Sequence, residues 1–156
     1  MRSLYYLATV IGTYRKIIDG IYDNTLDEKL MNKYTHILSR VANRLTSTHY
    51  LEKRADFNDQ YYTGRQELSN QDFLGIITDY DSDNKIITLT QRNYFEEGDK
   101  VVIFTPSGKE YSFVINTVYD SDMNNIGVAR HPEEIIKIKI DFDYKYEEYS
   151  MMRKDV

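Results

Sequence analysis

Apolar residues recur with two different periods along this chain, and the change from one to the other calls for two kinds of structure joined by a polar stretch. In the first segment Leu4, Leu7, Ala8, Ile11, Ile18, Ile21 and Tyr22 fall at helical spacing, with Tyr14 extending the stripe. A second row, Val10, Tyr14, Ile17 and Ile21, widens the apolar face beyond what one contact surface needs. The expectation is a helix that packs against more than its sequence neighbour. Asn24-Thr25 ends it, and Thr25-Leu26-Asp27-Glu28 has the spacing of a capping box with Thr25 as N-cap. A second helix then runs through Leu30, Tyr34, Ile37, Leu38 and Val41, and the short connection predicts an antiparallel hairpin.

From Asn43 to Gln71 the periodicity dissolves into polar residues with scattered tyrosines, a connection of 29 residues, long enough to require a linking or functional reason. Beyond it the period becomes two. Residues 73–80, 85–90, 100–105, 110–119, 125–130, 135–142 and a last piece around 146–152 read as strands. Between them stand turn clusters such as Asp81-Ser82-Asp83-Asn84, Glu97-Gly98-Asp99 and Pro106-Ser107-Gly108. With no helical pattern among the strands, the expected class is α+β. Residues 1–44 form a helical hairpin, 45–72 a polar connector, and 73–156 a small antiparallel β-barrel.

The 156 residues include no cysteine, which excludes a disulfide framework, a thiolate zinc site, a cysteine nucleophile and a cysteine-held iron-sulfur cluster. No apolar run reaches 18 residues and the first residues do not form a cleavable leader, so the expected compartment is the cytoplasm, without a membrane. The net charge of -5 divides unevenly. Residues 1–72 hold 10 Lys/Arg and 9 Asp/Glu, for +1, and residues 73–156 hold 10 and 16, for -6. Phosphate binding needs clustered positive charge, so any RNA contact is expected in the first half.

Candidate chemistry is sparse. There is no G-x-S-x-G, P-loop or G-x-G-x-x-G motif. His36 reads as a helix-boundary histidine, and His131, before Pro132-Glu133-Glu134, has no second ligand at a recognised spacing. Asp79 to Asn84 resembles a calcium loop, but it lacks the central glycine and has Thr90 at its twelfth position, which favours a solvated hairpin. His49 falls in the polar loop with Arg44 and Tyr50, and the most suggestive set there is Arg40, Arg44, Lys53, Arg54 and Arg65, interleaved with Tyr50, Phe57, Tyr61 and Tyr62. Guanidinium groups beside aromatic rings suit phosphates and stacked bases. The competing reading is a linker whose rings dock on the parts it joins. The 15 tyrosines fit that reading, since amphipathic rings seal boundaries between packed parts.

Leu4-Tyr5-Tyr6-Leu7-Ala8-Thr9-Val10, Tyr14-Arg15-Lys16-Ile17-Ile18-Asp19, Ser39-Arg40-Val41-Ala42-Asn43-Arg44 and Gln60-Tyr61-Tyr62-Thr63-Gly64-Arg65 resemble, in this order, the segments that follow the catalytic barrel in peptidase family U32, the collagenase-like proteases. Gln91-Arg92-Asn93-Tyr94-Phe95, Ala129-Arg130-His131-Pro132 and Met151-Met152-Arg153-Lys154 are similar to the signature of that family's C-terminal domain. Where many members have a Thr-Thr-Gly-Phe-like stretch, this chain has Thr46-Ser47-Thr48-His49-Tyr50. The resemblance implies an accessory region of a peptidase or of a tRNA uridine hydroxylation protein, with no catalytic, cofactor or metal residue of its own. It also implies an N-terminal (β/α) barrel as partner, which holds an iron-sulfur cluster in several branches. Its expected ligands are tRNA or a protein, with Arg40, Arg44, His49, Tyr50, Lys53, Arg54, Tyr61, Tyr62 and Arg65 as contacts. A scaffolding β-barrel that binds a sister subunit is the alternative.

Overall fold

A computed structural model describes residues 3–41, 50, 51, 54, 56, 57 and 72–155. Helix α1 spans Leu4–Tyr22, and Ser3 caps it by accepting from the Tyr6 amide at 3.2 Å. Its end is shaped by Gly20, whose carbonyl accepts from the amides of both Thr25 and Leu26, at 2.9 and 3.1 Å. Thr25 and Leu26 are thereby committed to the end of α1. The N-cap of α2, Glu28–Arg40, falls instead on Asp27, whose carboxylate accepts from the Leu30 amide at 2.7 Å. The Thr25 capping box is therefore corrected, and the antiparallel hairpin stands.

Among the described residues nine strands follow: β1 Phe73–Asp81, β2 Ile86–Gln91, β3 Phe95–Glu96, β4 Lys100–Phe104, β5 Glu110–Val114, β6 Val118–Tyr119, β7 Val128–Ala129, β8 Ile135–Lys139 and β9 Met151–Lys154. Seven form an antiparallel sheet in the order β5-β4-β9-β1-β2-β8-β6, and β3 pairs with β7 separately. The expected strand over 110–119 is split in two. The Ile115 amide and carbonyl bond to Asp99 and Gly98, which takes them out of any ladder between strands. As a result β5 and β6 lie on opposite edges of the sheet, although only residues 115–117 separate them. Four residue steps span at most about 14 Å, so the sheet must curl until its edges approach. The α+β class holds, with the β part a half-barrel whose edges are joined by chain rather than by a ladder.

Inside the curl sits the core, with Leu74, Ile77, Ile87, Leu89, Phe95, Ile103, Ile136, Ile138 and Met152 all essentially buried. Tyr80, Tyr111 and Tyr144 meet edge-on at 5.1 and 5.2 Å between ring centres and close one end. The helices lie against the outer face over β4, β9 and β1. There the Tyr5 ring stacks on Phe73 with centroids 4.6 Å apart and tilts against Phe104 at 6.2 Å. Tyrosine thus seals the boundary between helices and sheet, in keeping with its abundance.

Candidate functional site

The junction between α1 and the sheet is built by β9. It was expected around 146–152, but Tyr149 takes φ 68° and the Ser150 amide bonds back to the Glu147 carbonyl, which delays the strand to Met151. β9 then inserts between β4 and β1. Alternation sends Met152 into the core and turns Met151 and Arg153 toward the helix. Arg153, a residue whose charge alone suggests solvent, has a side chain only 7% exposed.

Three cations converge on one carboxylate there. Lys16 Nζ donates to Glu110 Oε1 at 2.7 Å, Lys33 Nζ to Oε2 at 3.3 Å and Arg153 Nη2 to Oε1 at 3.4 Å. The Arg153 guanidinium also lies over the Phe104 ring, 5.2 Å from its centroid. Burial alone would raise the pKa of Glu110. The Lys16 hydrogen bond and the charges of Lys16, Lys33 and Arg153 outweigh it and hold the carboxyl below its ordinary value. Beside this cluster a cavity of about 350 Å³ opens between α1 and the turn after β4. Leu4, Ala8, Phe104, Pro106, Tyr149 and Met151 give it apolar walls, and Thr9, Thr13, Lys16, Thr105, Glu110 and Arg153 a polar side. Thr9 is 3% exposed, and its hydroxyl oxygen meets no partner in hydrogen-bond geometry among the described residues. The Tyr5 hydroxyl lies close to both Thr9 and Arg153, and burial raises its pKa while the Arg153 charge works against the rise. Nothing in the sequence pattern announced this site, because Lys16, Glu110 and Arg153 lie 94 and 43 residues apart.

The face of α1 turned away from the sheet is apolar. Leu7, Ile11, Tyr14, Ile18, Ile21 and Tyr22 are each at least 42% exposed, with Leu4 at the edge between this face and the cavity, whereas the buried residues of the helix are Thr9, Thr13 and Gly20. The wide apolar face expected from sequence is real, and most of it looks outward.

Of the predicted contact residues, Arg40 is held in a bidentate pair with Asp72, at 2.7 and 2.5 Å. Tyr50 and Arg54 are exposed. Arg44, His49, Lys53, Tyr61, Tyr62 and Arg65 lie outside the described residues. His36 and His131 are exposed. The Asp81 carboxylate accepts from the amides of Asp83 and Asn84 at 3.0 and 3.1 Å, which makes the acidic segment a self-capped hairpin turn. No group of metal-ligating side chains is present among the described residues, nor any helix long and apolar enough to cross a membrane. The resemblance segments meet in space. Phe95 pairs with Ala129, and just outside the segments Glu133 forms an ion pair with Arg92 and the Phe73 carbonyl accepts from the Asn93 side-chain amide at 2.7 Å.

Comparison with known proteins agrees with this arrangement. Residues 69–153 match the family model for the peptidase family U32 C-terminal domain, and residues 1–61 match that for peptidase family U32. The chain is 35% identical over 154 residues, 99% of its length, to the tRNA hydroxylation protein P1 of Bacillus subtilis strain 168, and spans 36% of that relative. A crystal structure of the C-terminal domain of a Geobacillus thermoleovorans protein assigned to the U32 peptidases superposes with a TM-score of 0.51 at 36% identity, covering 58% of this chain and 100% of that one. With more than half of its length matching the C-terminal domain model, this chain belongs to peptidase family U32.

Proposed function

We infer that this chain is a non-catalytic accessory region of a U32 protein, which docks through α1 onto the remainder of such a protein and helps to position tRNA. The carrying observation is the exposed stripe from Leu4 to Tyr22, whose residues are those a helix normally buries. Two facts support an intramolecular neighbour of the same family. The helices fall within the match to the general family model, and the similar Bacillus subtilis protein is nearly three times as long. In this reading the rest of the protein, a (β/α) barrel, supplies the chemistry and any cluster.

The tRNA assignment draws on that relative's name and on the basic and aromatic residues of the connector. Arg44, Lys53, Arg54 and Arg65 meet phosphate while Tyr50, Tyr61 or Tyr62 stacks on a base, with His49 alongside. Arg40 contributes by anchoring the segment to Asp72. The test is tRNA binding by the 156-residue chain at graded salt. Arg44→Ala and Arg65→Ala are each expected to weaken binding and to reduce the salt slope by about 1. Binding indifferent to both substitutions overturns the tRNA reading and leaves scaffolding in its place. Docking is read separately, by co-purification with the remaining part of the Bacillus subtilis relative. Ile11→Asp and Ile18→Asp should abolish it, and retention by both variants would refute the docking face.

A further inference from the structure

We propose that the cavity between α1 and the turn after β4 is a binding site for a small organic monocarboxylate with an apolar body. It is distinct from the tRNA contacts, which belong to the connector, and from the α1 stripe, which from Leu7 onward faces away from the sheet and shares only Leu4 with the cavity.

Charge selects the class of ligand. Lys16 and Arg153 on the wall carry +2 against -1 for Glu110, a surplus of one positive charge that a monoanion neutralises and a dianion overshoots. Lys33 approaches Glu110 as well but does not line the cavity. Geometry then favours a carboxylate. The Arg153 guanidinium, only 7% exposed, touches Glu110 through a long 3.4 Å hydrogen bond, lies over the Phe104 ring and interacts with the Tyr5 hydroxyl, so a carboxylate entering the cavity meets a planar cation already aimed along its wall. Thr9 and Thr13, both buried, line the same wall. The remaining wall is Phe104, Met151 and aliphatic groups, which calls for an apolar body, and about 350 Å³ is within the range of small-molecule sites. In this scheme Glu110 keeps the two cations in place when the site is empty and releases part of their hydrogen bonding when a carboxylate enters.

Gly12 provides a test that spares the fold. It lines the cavity, and a Cβ built on it meets nothing within 4 Å. Gly12→Leu therefore fills the site from a helix position where leucine is the better helix former. The experiment titrates the 156-residue chain with 4-phenylbutyrate, with its neutral amide and with inorganic phosphate, read by calorimetry and by backbone amide shifts. Saturable binding of the carboxylate is expected, with shifts at α1, β5 and β9. The amide and the Lys16→Met variant should each bind about tenfold more weakly or worse, and Gly12→Leu should not bind while melting no lower than the parent. Equal binding of acid and amide, unchanged binding by Gly12→Leu, displacement by phosphate at physiological salt, or no saturable binding would each overturn the proposal.

Discussion

The Arg40 guanidinium grips the Asp72 carboxylate in a fork, Nε to Oδ2 at 2.7 Å and Nη2 to Oδ1 at 2.5 Å. Arg40 is the last residue of α2 and Asp72 the residue before β1, so one ion pair pins together the two ends of the polar connector. The Asp72 side chain is 6% exposed and that of Arg40 35%, which places the pair between the surface and buried limits. Asp72→Ala should destabilise the chain by about 2 kcal/mol in urea denaturation. A loss under about 0.5 kcal/mol would show that the fork is incidental.

Glu110 supplies a pH dependence of defined sign. Its folded pKa lies below the ordinary value of 4.5, so its contribution is present above pH 4.5 and is lost as the pH falls through the folded value. Glu110→Gln should cost on the order of 1 kcal/mol at pH 7, discounted for partial exposure. The gap from the parent should narrow below pH 4.5. A gap independent of pH between 3 and 7 would mean that the carboxylate charge is not what holds Lys16 and Arg153.

Tyr144 carries a defect whose removal should help. Its ring is buried against Tyr80 and Tyr111, yet its hydroxyl has no hydrogen-bond partner among the described residues, and burial pushes its pKa up to about 12. Ser150 is nearby, but its hydroxyl donates to the Glu147 carbonyl at 2.6 Å. Tyr144→Phe should stabilise the chain by about 1 kcal/mol near neutral pH. A raised pKa confers stability that is complete below pH 10 and lost as the pH climbs toward 12. The phenylalanine variant should therefore also lose less stability on the alkaline side, as thermal melts from pH 8 to 11 would reveal.

Two glycines predict opposite outcomes. A Cβ at Gly75 would sit 2.4 Å from Leu89 Cδ1 and 2.6 Å from the Thr90 carbonyl oxygen, and the backbone of β2 cannot step aside. Gly75→Ala should cost about 2–3 kcal/mol. Gly12→Ala, in the open on α1, should gain about 0.5–1 kcal/mol by removing unfolded-state freedom. Melting temperatures that move in the same direction for both would contradict the packing at one of the two positions.

Local periodicity was enough to give the helices, the α+β class and most strands. Leu4 to Tyr22 reads as a helix from its own spacing and is one. The breadth of its apolar face likewise announced surface left over after packing on its neighbours. Two-residue strands such as Phe95–Glu96 are too short to carry a period, and the break at Ile115 depends on Gly98 and Asp99, a tertiary partner. The cavity was illegible for a stronger reason. Lys16, Glu110 and Arg153 read separately as solvated charges, and only the insertion of β9 between β4 and β1 turns Arg153 toward α1 and desolvates it. Periodicity records which side of an element is apolar. Which distant element covers that side, and which charges are thereby buried together, is decided by the order in which strands pair.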